Sequence, residues 1–117
     1  MCIRDSNTKV LFLESPANPL LEVVDIAAIA QIAREAGAKL VVDNVFATPL
    51  YQKPLQLGAD VVVYSATKHI DGQGRVLGGA ILGDAKLLDE AYKDMLRHTG
   101  PATVSYTHLT LPTKRIV

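Results

Sequence analysis

Lys68 and the polar residues around it form the part of this sequence best equipped for chemistry. The stretch VVVYSATKHIDGQGRVLGG, residues 61–79, runs from an apolar segment through two hydroxyl side chains to Lys68 and then into a glycine-rich loop. A lysine shielded from water has its neutral amine favoured, and the neutral amine is the nucleophile in Schiff-base formation. A lone loop lysine is usually a solvated surface residue, so Lys68 needs partners before it indicates catalysis.

Asp43 is a candidate partner because it ends another apolar segment, AKLVVD. A carboxylate on the ring nitrogen of a pyridine cofactor keeps that nitrogen protonated, so the ring can accept electrons. The alternative is that Asp43 only caps the turn after its strand. Ser65 and Thr67 carry hydroxyls that can donate to a phosphate together with backbone amides, or can simply cap the end of a strand.

The glycine-rich loop does not match the nucleotide-binding patterns. GQGRVLG, residues 72–78, reads G-x-G-x-x-x-G instead of G-x-G-x-x-G, and the sequence contains no G-K-[ST] of a P-loop. His69 and His98 have no partners at metal-ligand spacing, so we predict no metal site. Arg75 can bind an anion, but a solvated loop position is the simpler interpretation.

Strands and helices alternate along the chain. Strands are predicted over residues 9–14, 38–44, 59–67 and 78–83, and helices over 25–36 and 84–100. The first helix is expected to begin after Asp25, to end at Gly37 and to have its apolar face made of Ile26, Ile29, Ile32 and Ala33. The strands are apolar on both faces, which is typical of a parallel α/β sheet. Ligands of such sheets lie beyond the carboxyl ends of the strands, where the polar residues collect here.

Composition restricts the class of protein. The chain has 117 residues, 49% of them hydrophobic and 21% charged, with 12 basic and 12 acidic side chains. Balanced charge gives no basic surface for nucleic acid or an anionic membrane, and no apolar run approaches the roughly 20 residues that span a bilayer. The single cysteine, Cys2, cannot form an internal disulfide, and no signal-peptide pattern opens the chain. A cytoplasmic location is therefore predicted.

Both ends of the sequence differ in character from the middle. MCIRDS can be encoded by ATG TGT ATA AGA GAC AG, and the reverse complement of that string encodes Val104–His108. The ends can therefore be inverted copies of one DNA element, which is similar to the transposon-end adapter of sequencing libraries. We expect residues 1–6 and 103–117 to be adapter-like and residues 7–102 to be the natural segment.

Three motifs in this order resemble the trans-sulfuration family of pyridoxal 5'-phosphate (PLP) enzymes, also called the Cys/Met metabolism PLP-dependent group. They are ESPANP at 14–19, VVDNVFATP at 41–49 and SATKHIDGQGRVLGG at 65–79. The resemblance implies an α/β fold. Residues 7–102 would be part of the large PLP-binding domain of a fold type I PLP-dependent transferase, with a mostly parallel sheet and flanking helices.

The resemblance also implies roles for individual residues. It makes Lys68 the lysine that bonds covalently to PLP and Asp43 the partner of the pyridine nitrogen. Ser65 and Thr67 match the positions that hold the cofactor phosphate, and Asn18 matches an asparagine near the ring oxygen of the cofactor.

The activity implied for the full-length parent is γ-replacement on a small amino-acid substrate. Sulfide replaces succinate and homocysteine forms, in methionine biosynthesis. His69 and the run DGQGR differ from the tyrosine and the GH pair that are more frequent in the cystathionine enzymes of the family. Cystathionine γ-synthase or γ-lyase activity is nevertheless an alternative, and a non-catalytic α/β binding module is an alternative of another class.

The assembly implied for the parent is a homotetramer built from dimers that share active sites. In the family, a Tyr/Arg pair comes from the neighbouring subunit, a glycine-containing loop holds the phosphate, and an arginine of a C-terminal domain holds the substrate carboxylate. None of these motifs is found in this sequence. We therefore expect the 117-residue chain to be inactive alone, and a further alternative is that the polypeptide as written is a translated library artefact.

Overall fold

A computed structural model of the chain describes residues 7–75, 77–89, 95 and 98. In chain order the elements are β1 (Val10–Glu14), α1 (Ile26–Glu35), β2 (Lys39–Asp43), α2 (Thr48–Tyr51), a 3₁₀ turn (Pro54–Leu57), β3 (Val61–Ser65), a wide helical turn (Ala66–Ile70) and β4 (Gly79–Gly83). The four predicted strands and the first predicted helix are all present. The adapter-like segments 1–6 and 103–117 lie outside the described residues.

The four strands form one sheet in the order β1-β2-β3-β4. The first three strands are parallel, and β4 runs antiparallel to β3. Glu14 lies opposite Asp43, and Asp43 lies opposite Val63 on the other side. The carboxyl ends of the three parallel strands therefore meet at one edge, which confirms the prediction of a mostly parallel α/β sheet.

Helix α1 begins and ends where its capping residues predict. Oδ1 of Asp25 accepts a hydrogen bond from the amide of Ala28 at 3.0 Å, which satisfies one of the free donors of the first turn. The helix ends before Gly37, whose φ of +66° favours glycine.

The buried stripe of α1 differs from the predicted one. Its buried residues are Ile26, Ala30 and Ala33, whereas Ile32 is 47% exposed. Ile26, Ala30 and Ala33 follow i, i+4, i+7 spacing and so line one side of the helix. Ile32 falls off that stripe and faces solvent, so the prediction that it belongs to the apolar face was wrong.

Only one face of the sheet is covered among the described residues. Helix α1 packs against Leu40, Val42, Val62 and Tyr64, which are all buried. Strand register and alternation place Phe12, Val41, Val63 and Ile81 on the opposite face. Phe12 is 64% exposed and Ile81 41% exposed, so this face, called the open face below, carries exposed apolar side chains and has no covering layer among the described residues.

Every predicted strand is shorter in the structure, β3 most of all, and the second predicted helix is described mainly at its start. Strand β3 ends at Ser65 instead of residue 67, because the chain then turns toward Gly78, whose carbonyl accepts from the amide of Ala66 at 2.8 Å. The helix predicted over 84–100 begins as expected, since Oδ1 of Asp84 accepts from the amides of Lys86 and Leu87. Residues 85–89 are helical, and the remainder, apart from Met95 and His98, lies outside the described residues.

Candidate functional site

Asp43 is the last residue of β2 and is half-buried. Its Oδ1 accepts a hydrogen bond from the amide of Val45 at 3.0 Å. Among the residues that the structure describes, Oδ2 of Asp43 has no hydrogen-bond partner. Every buried side-chain polar atom in that part of the chain does have a partner, so Oδ2 is not buried and is accessible. One oxygen therefore caps the turn, as the structural alternative predicts, while the other can accept a hydrogen bond from a protonated ring nitrogen.

Ser65 and Thr67 use their hydroxyls differently. Ser65 ends β3, and its side chain makes no capping hydrogen bond. Thr67 Oγ1 accepts from the amide of Gly78 at 3.0 Å and lies 3.4 Å from the Gly78 carbonyl oxygen. That carbonyl also accepts the amides of Ala66 and Thr67, at 2.8 and 3.3 Å. The Ser65 hydroxyl is thus available to a phosphate, whereas Thr67 and both amides are engaged within the chain.

Lys68 lies in the wide turn that follows β3 and is exposed. Its backbone leaves the helical conformation, with φ −90° and ψ −112°. The described residues therefore do not provide the shielding from water that the sequence led us to expect around this amine. The position of Lys68, three residues after Ser65, still places it beyond the carboxyl edge of the sheet.

Asn18 occupies the turn after β1 and is exposed. Its backbone amide donates to Oε2 of Glu14 at 3.2 Å. Because Glu14 lies opposite Asp43, this bond holds the turn at the same edge of the sheet as the other predicted site residues.

The register of the sheet brings Asp43 and Ser65 to one face. Asp43 lies opposite Val63, and residues two apart on a strand share a face, so Ser65 follows Val63 on the side of Asp43. Glu14 joins them through its register with Asp43. The polar edge of the open face therefore collects two carboxylates and a hydroxyl, and Lys68 follows Ser65 by three residues in the chain.

The glycine-rich loop after Lys68 is closed by an acidic residue. Oδ2 of Asp71 accepts from the amides of Gln73 and Arg75, at 3.3 and 2.7 Å. The Arg75 amide is the main cause that holds the pKa of Asp71 below its usual value, and burial opposes it. Arg75 also pairs with Asp71, with Nε 3.6 Å from Oδ1. These amides already bind a carboxylate, which gives the loop a structural role in place of anion binding.

Sequence reasoning missed a buried group of polar side chains behind the site. Asn44 and Ser15 are both fully buried, at 0% exposure. Nδ2 of Asn44 lies 2.8 Å from Oη of Tyr64, and Nε2 of Gln52 donates to Oδ1 of Asn44 at 2.7 Å. A polar residue directly after an apolar strand was the available signal for Asn44. Gln52 lies in a loop with no periodicity and gave none.

The donor set at this edge fits PLP in part. The open oxygen of Asp43 suits the pyridine nitrogen, the exposed amine of Lys68 suits the aldehyde, and the Ser65 hydroxyl suits the phosphate. A phosphate requires more donors than one hydroxyl, and the nearby amides of Ala66 and Thr67 are already bound to Gly78. The ring is thus well matched, and most phosphate donors must come from elsewhere.

The described positions hold neither a group of metal-ligating side chains nor a helix that could cross a membrane. No group of three or more His, Cys, Asp and Glu side chains there could hold a metal ion. Within the same part of the chain, no helix has the length and apolar character needed to cross a membrane.

Comparison with known proteins gives the family directly. The model of the family described as Cys/Met metabolism PLP-dependent enzyme matches residues 2–111. O-succinylhomoserine sulfhydrylase of Mycobacterium tuberculosis is 60% identical over 99 residues, which are 85% of this chain and 24% of that protein. The enzyme of the same name from Pseudomonas aeruginosa is 58% identical over 95 residues, 81% of this chain and 23% of that one.

A solved structure agrees with these relatives. The apo form of a methionine gamma lyase from Micromonospora echinospora superposes with a TM-score of 0.75 and 48% identity, over 80% of this chain and 26% of that one. The chain thus spans about a quarter of the length of the curated relatives that it matches. With a family match over nearly its whole length, this chain belongs to the Cys/Met metabolism PLP-dependent enzyme family.

Proposed function

We propose that the full-length protein is an O-succinylhomoserine sulfhydrylase, a PLP-dependent enzyme that replaces succinate by sulfide on a small amino-acid substrate and forms homocysteine. The observation that carries this proposal is the accessible oxygen of Asp43 on the same edge and face as Ser65, with Lys68 three residues after Ser65 in the chain. The high identity to two sulfhydrylases of this name supports the choice of substrate and nucleophile.

Each site residue has a defined task in this proposal. Bound PLP supplies an electron sink for the substrate carbon. Oδ2 of Asp43 would accept a hydrogen bond from the ring N–H and would keep that nitrogen protonated. The amine of Lys68 would hold the cofactor covalently and, as a free amine, would move protons at Cα and then Cβ of the substrate. Ser65 donates to the phosphate, and Asn18 lies near the ring oxygen.

Thr67 has a different task in this proposal from the one that its motif implies. Its hydroxyl bridges to the amide of Gly78, so it holds the two sides of the glycine-rich loop together. Only a rearrangement of that loop frees Thr67 to donate to the phosphate. We therefore assign the first phosphate contact of this segment to Ser65.

The assembly and location are part of the same proposal. The parent is a homotetramer built from dimers that share active sites, and the phosphate donors that this chain lacks come from the rest of the protein and from a neighbouring subunit. It acts in the cytoplasm on an amino acid, without nucleic-acid or membrane partners. Analytical ultracentrifugation of the full-length protein measures the oligomeric state.

The test uses the full-length protein with O-succinylhomoserine and either sulfide or cysteine. Homocysteine formation with sulfide as the preferred nucleophile supports the proposal. Preferred formation of cystathionine with cysteine identifies a cystathionine γ-synthase instead, and cleavage of cystathionine identifies a γ-lyase. Absence of any covalent cofactor adduct would favour the alternative that the protein is a non-catalytic binding module.

The covalent site is tested separately by borohydride reduction of the PLP-loaded protein and peptide mass mapping. The pyridoxyl group is expected on Lys68. Lys53 and Lys86 are also exposed, so their amines could compete for the label. A label on either of them would contradict the assignment to Lys68.

A further inference from the structure

We propose that Asn44 and Gln52 are positioning residues that hold the carboxylate of Asp43 and the segment of Lys68 in one fixed arrangement. This inference rests on the proposed function of Asp43 and Lys68. Asn44 follows Asp43 directly and is fully buried. Its side chain reaches Tyr64, a member of the core packed against α1. The proposed cofactor contacts lie on the open face of the sheet. The hydrogen bonds that fix the positions of those residues lie on the covered face.

Asn44 binds β3 through both its backbone and its side chain. Its amide donates to the carbonyl of Val63 at 3.2 Å, and Nδ2 donates to Oη of Tyr64 at 2.8 Å. Tyr64 directly precedes Ser65, and β3 leads from there into Lys68. The two contacts therefore fix the end of β2 against the strand that delivers Lys68.

The orientation of the Asn44 amide is determined by its neighbours. Nδ2 lies 3.1 Å from the carbonyl oxygen of Thr48 and 2.9 Å from that of Gln52. Carbonyl oxygens only accept hydrogen bonds, so the NH₂ group must face them. Oδ1 then faces Nε2 of Gln52, and the phenol oxygen of Tyr64 is a third acceptor beside the two carbonyls, so the two N–H hydrogens of Asn44 are shared among three oxygens. A residue with no NH₂ group at this position leaves the Gln52 carbonyl without a described partner.

Gln52 extends the network to β1. Its Nε2 donates to the carbonyl of Ser15 at 2.8 Å as well as to Oδ1 of Asn44 at 2.7 Å. The amide of Ser15 in turn lies 3.4 Å from the carbonyl oxygen of Asp43. The carboxyl ends of β1, β2 and β3 are thus joined, and hydrogen bonds in such a buried network are costly to break.

The network acts on Asp43 through the turn that follows it. The amide of Val45 sets the carboxylate through Oδ1, and Asn44 is the residue between them. Displacement of Asn44 therefore moves the donor that orients Asp43. Misplacement of a reacting group by about 1 Å can cost on the order of 100-fold in rate.

Gln52→Leu in the full-length protein tests this proposal, with Gln56→Leu as matched control. Gln56 is the same residue type in the same segment but is exposed and has no side-chain bond to the network. Tyr64→Phe is the milder second variant, because it removes only the acceptor oxygen. For Gln52→Leu we expect kcat/KM to fall by roughly tenfold, the effect of one or two buried hydrogen bonds.

Two further readouts separate positioning from loss of stability. In the cofactor-free protein, the Val45 amide should exchange its hydrogen faster in Gln52→Leu and Tyr64→Phe than in Gln56→Leu. In the loaded protein, the pH midpoint of the cofactor absorption band should move in the direction that Asp43→Asn produces. Equal exchange and an unmoved midpoint in both variants would overturn the proposal, even if their melting temperatures fell.

The outcome also distinguishes this inference from the proposed function. If Lys68 takes the pyridoxyl label and Asp43→Asn loses activity, but Gln52→Leu and Tyr64→Phe behave like Gln56→Leu, only the positioning role is wrong. If Lys68 is unlabelled, the proposed function fails first.

Discussion

Asp43 accepts a hydrogen bond from the amide of Val45 at 3.0 Å, and it does so through Oδ1 alone. This bond holds the carboxylate at the end of β2 while Oδ2 is accessible. One side chain therefore serves both as a structural cap and as the partner that a pyridine nitrogen requires. The two roles can be separated by a substitution that keeps the cap and removes the charge.

Asp43→Asn is such a substitution, and we expect it to reduce catalysis far more than stability. The amide oxygen can still accept from Val45, but it cannot hold a protonated pyridine nitrogen as a carboxylate does. Electrostatic losses of this kind cost about 2.7–4 kcal/mol of transition-state stabilisation, or roughly 100- to 1000-fold in rate. Steady-state kinetics and thermal unfolding of the full-length variant measure both effects.

Asp25→Asn provides the matched control. Asp25 caps α1 through the amide of Ala28, and asparagine is an equally good capping residue. Its activity should match that of the unmodified protein. An Asp43→Asn variant that turned over within about twofold of the unmodified enzyme, well under 1 kcal/mol, would refute the role of Asp43.

Ser65 and Thr67 should respond differently to removal of their hydroxyls. Ser65→Ala should weaken PLP binding by roughly 10- to 150-fold, the effect of one hydrogen bond to a charged group, with little change in melting temperature. Thr67→Val should destabilise the cofactor-free protein by about 1–3 kcal/mol, since the amide of Gly78 then loses its partner. Thr67→Ser should restore that stability.

Cofactor titration and thermal unfolding of the apo full-length variants measure this difference. If Thr67→Val bound PLP more weakly but unfolded at the unchanged temperature, the hydroxyl would serve the phosphate instead of the loop. Such a result would favour the role that the motif implies over the contact seen in the structure.

Much of the fold follows from local signals in the sequence. The valine-rich runs that become β2 and β3 are buried on the α1 face and carry Val41, Val61 and Val63 on the other, so their parallel pairing could be predicted. Asp25 and Gly37 mark the limits of α1 through capping and left-handed backbone, which depend on neighbouring residues only.

Contacts between segments that are distant in the sequence could not be predicted from these local signals. Thr67 bonds to Gly78, and Gln52 bonds to Ser15, across loops whose paths no periodicity encodes. The exposure of Lys68 likewise depends on what packs over the turn after β3. The types of the site residues could therefore be predicted, whereas the partners that engage or leave free each hydroxyl and carboxylate could not.

The pairing of Lys39 with Asp60 predicts a pH dependence of stability. Burial alone raises the pKa of Asp60, but hydrogen bonds from the Lys39 ammonium at 2.8 Å and the Leu40 amide at 2.9 Å outweigh it. The pKa therefore lies below its usual value of 3.8. Because the folded-state pKa is lowered, the stabilisation is fully present above pH 3.8 and is lost as the pH falls through the lowered pKa.

Asp60→Asn should accordingly be less stable than the unmodified protein at neutral pH, by less than about 1 kcal/mol for so exposed a pair. The difference should shrink below the usual carboxyl pKa. Denaturant unfolding of both proteins across this pH range measures it, and Lys39→Met serves as control because it removes the same ion pair. A difference that stays constant down to the lowest pH would show that the charge of Asp60 contributes nothing.

The open face of the sheet leads to the prediction for the isolated 117-residue chain. Phe12, Val10 and Ile81 are 64%, 53% and 41% exposed, and they lie on the face that α1 does not cover. Strands that are apolar on both faces need a layer on each side, and unpaired edge strands promote aggregation. The described residues supply a covering helix for one side only, so we expect the chain to fold marginally when expressed alone.

Cofactor binding by the isolated chain should fail for a related reason. The Ser65 hydroxyl is available, but Thr67 and the amides beside it are bound to Gly78, which leaves too few donors for a phosphate. PLP titration together with denaturant unfolding tests both expectations, with the full-length protein as control. A cooperative unfolding transition combined with saturable PLP binding at micromolar concentration would show that this segment folds and binds its cofactor as an autonomous domain, and that the open face needs no further cover.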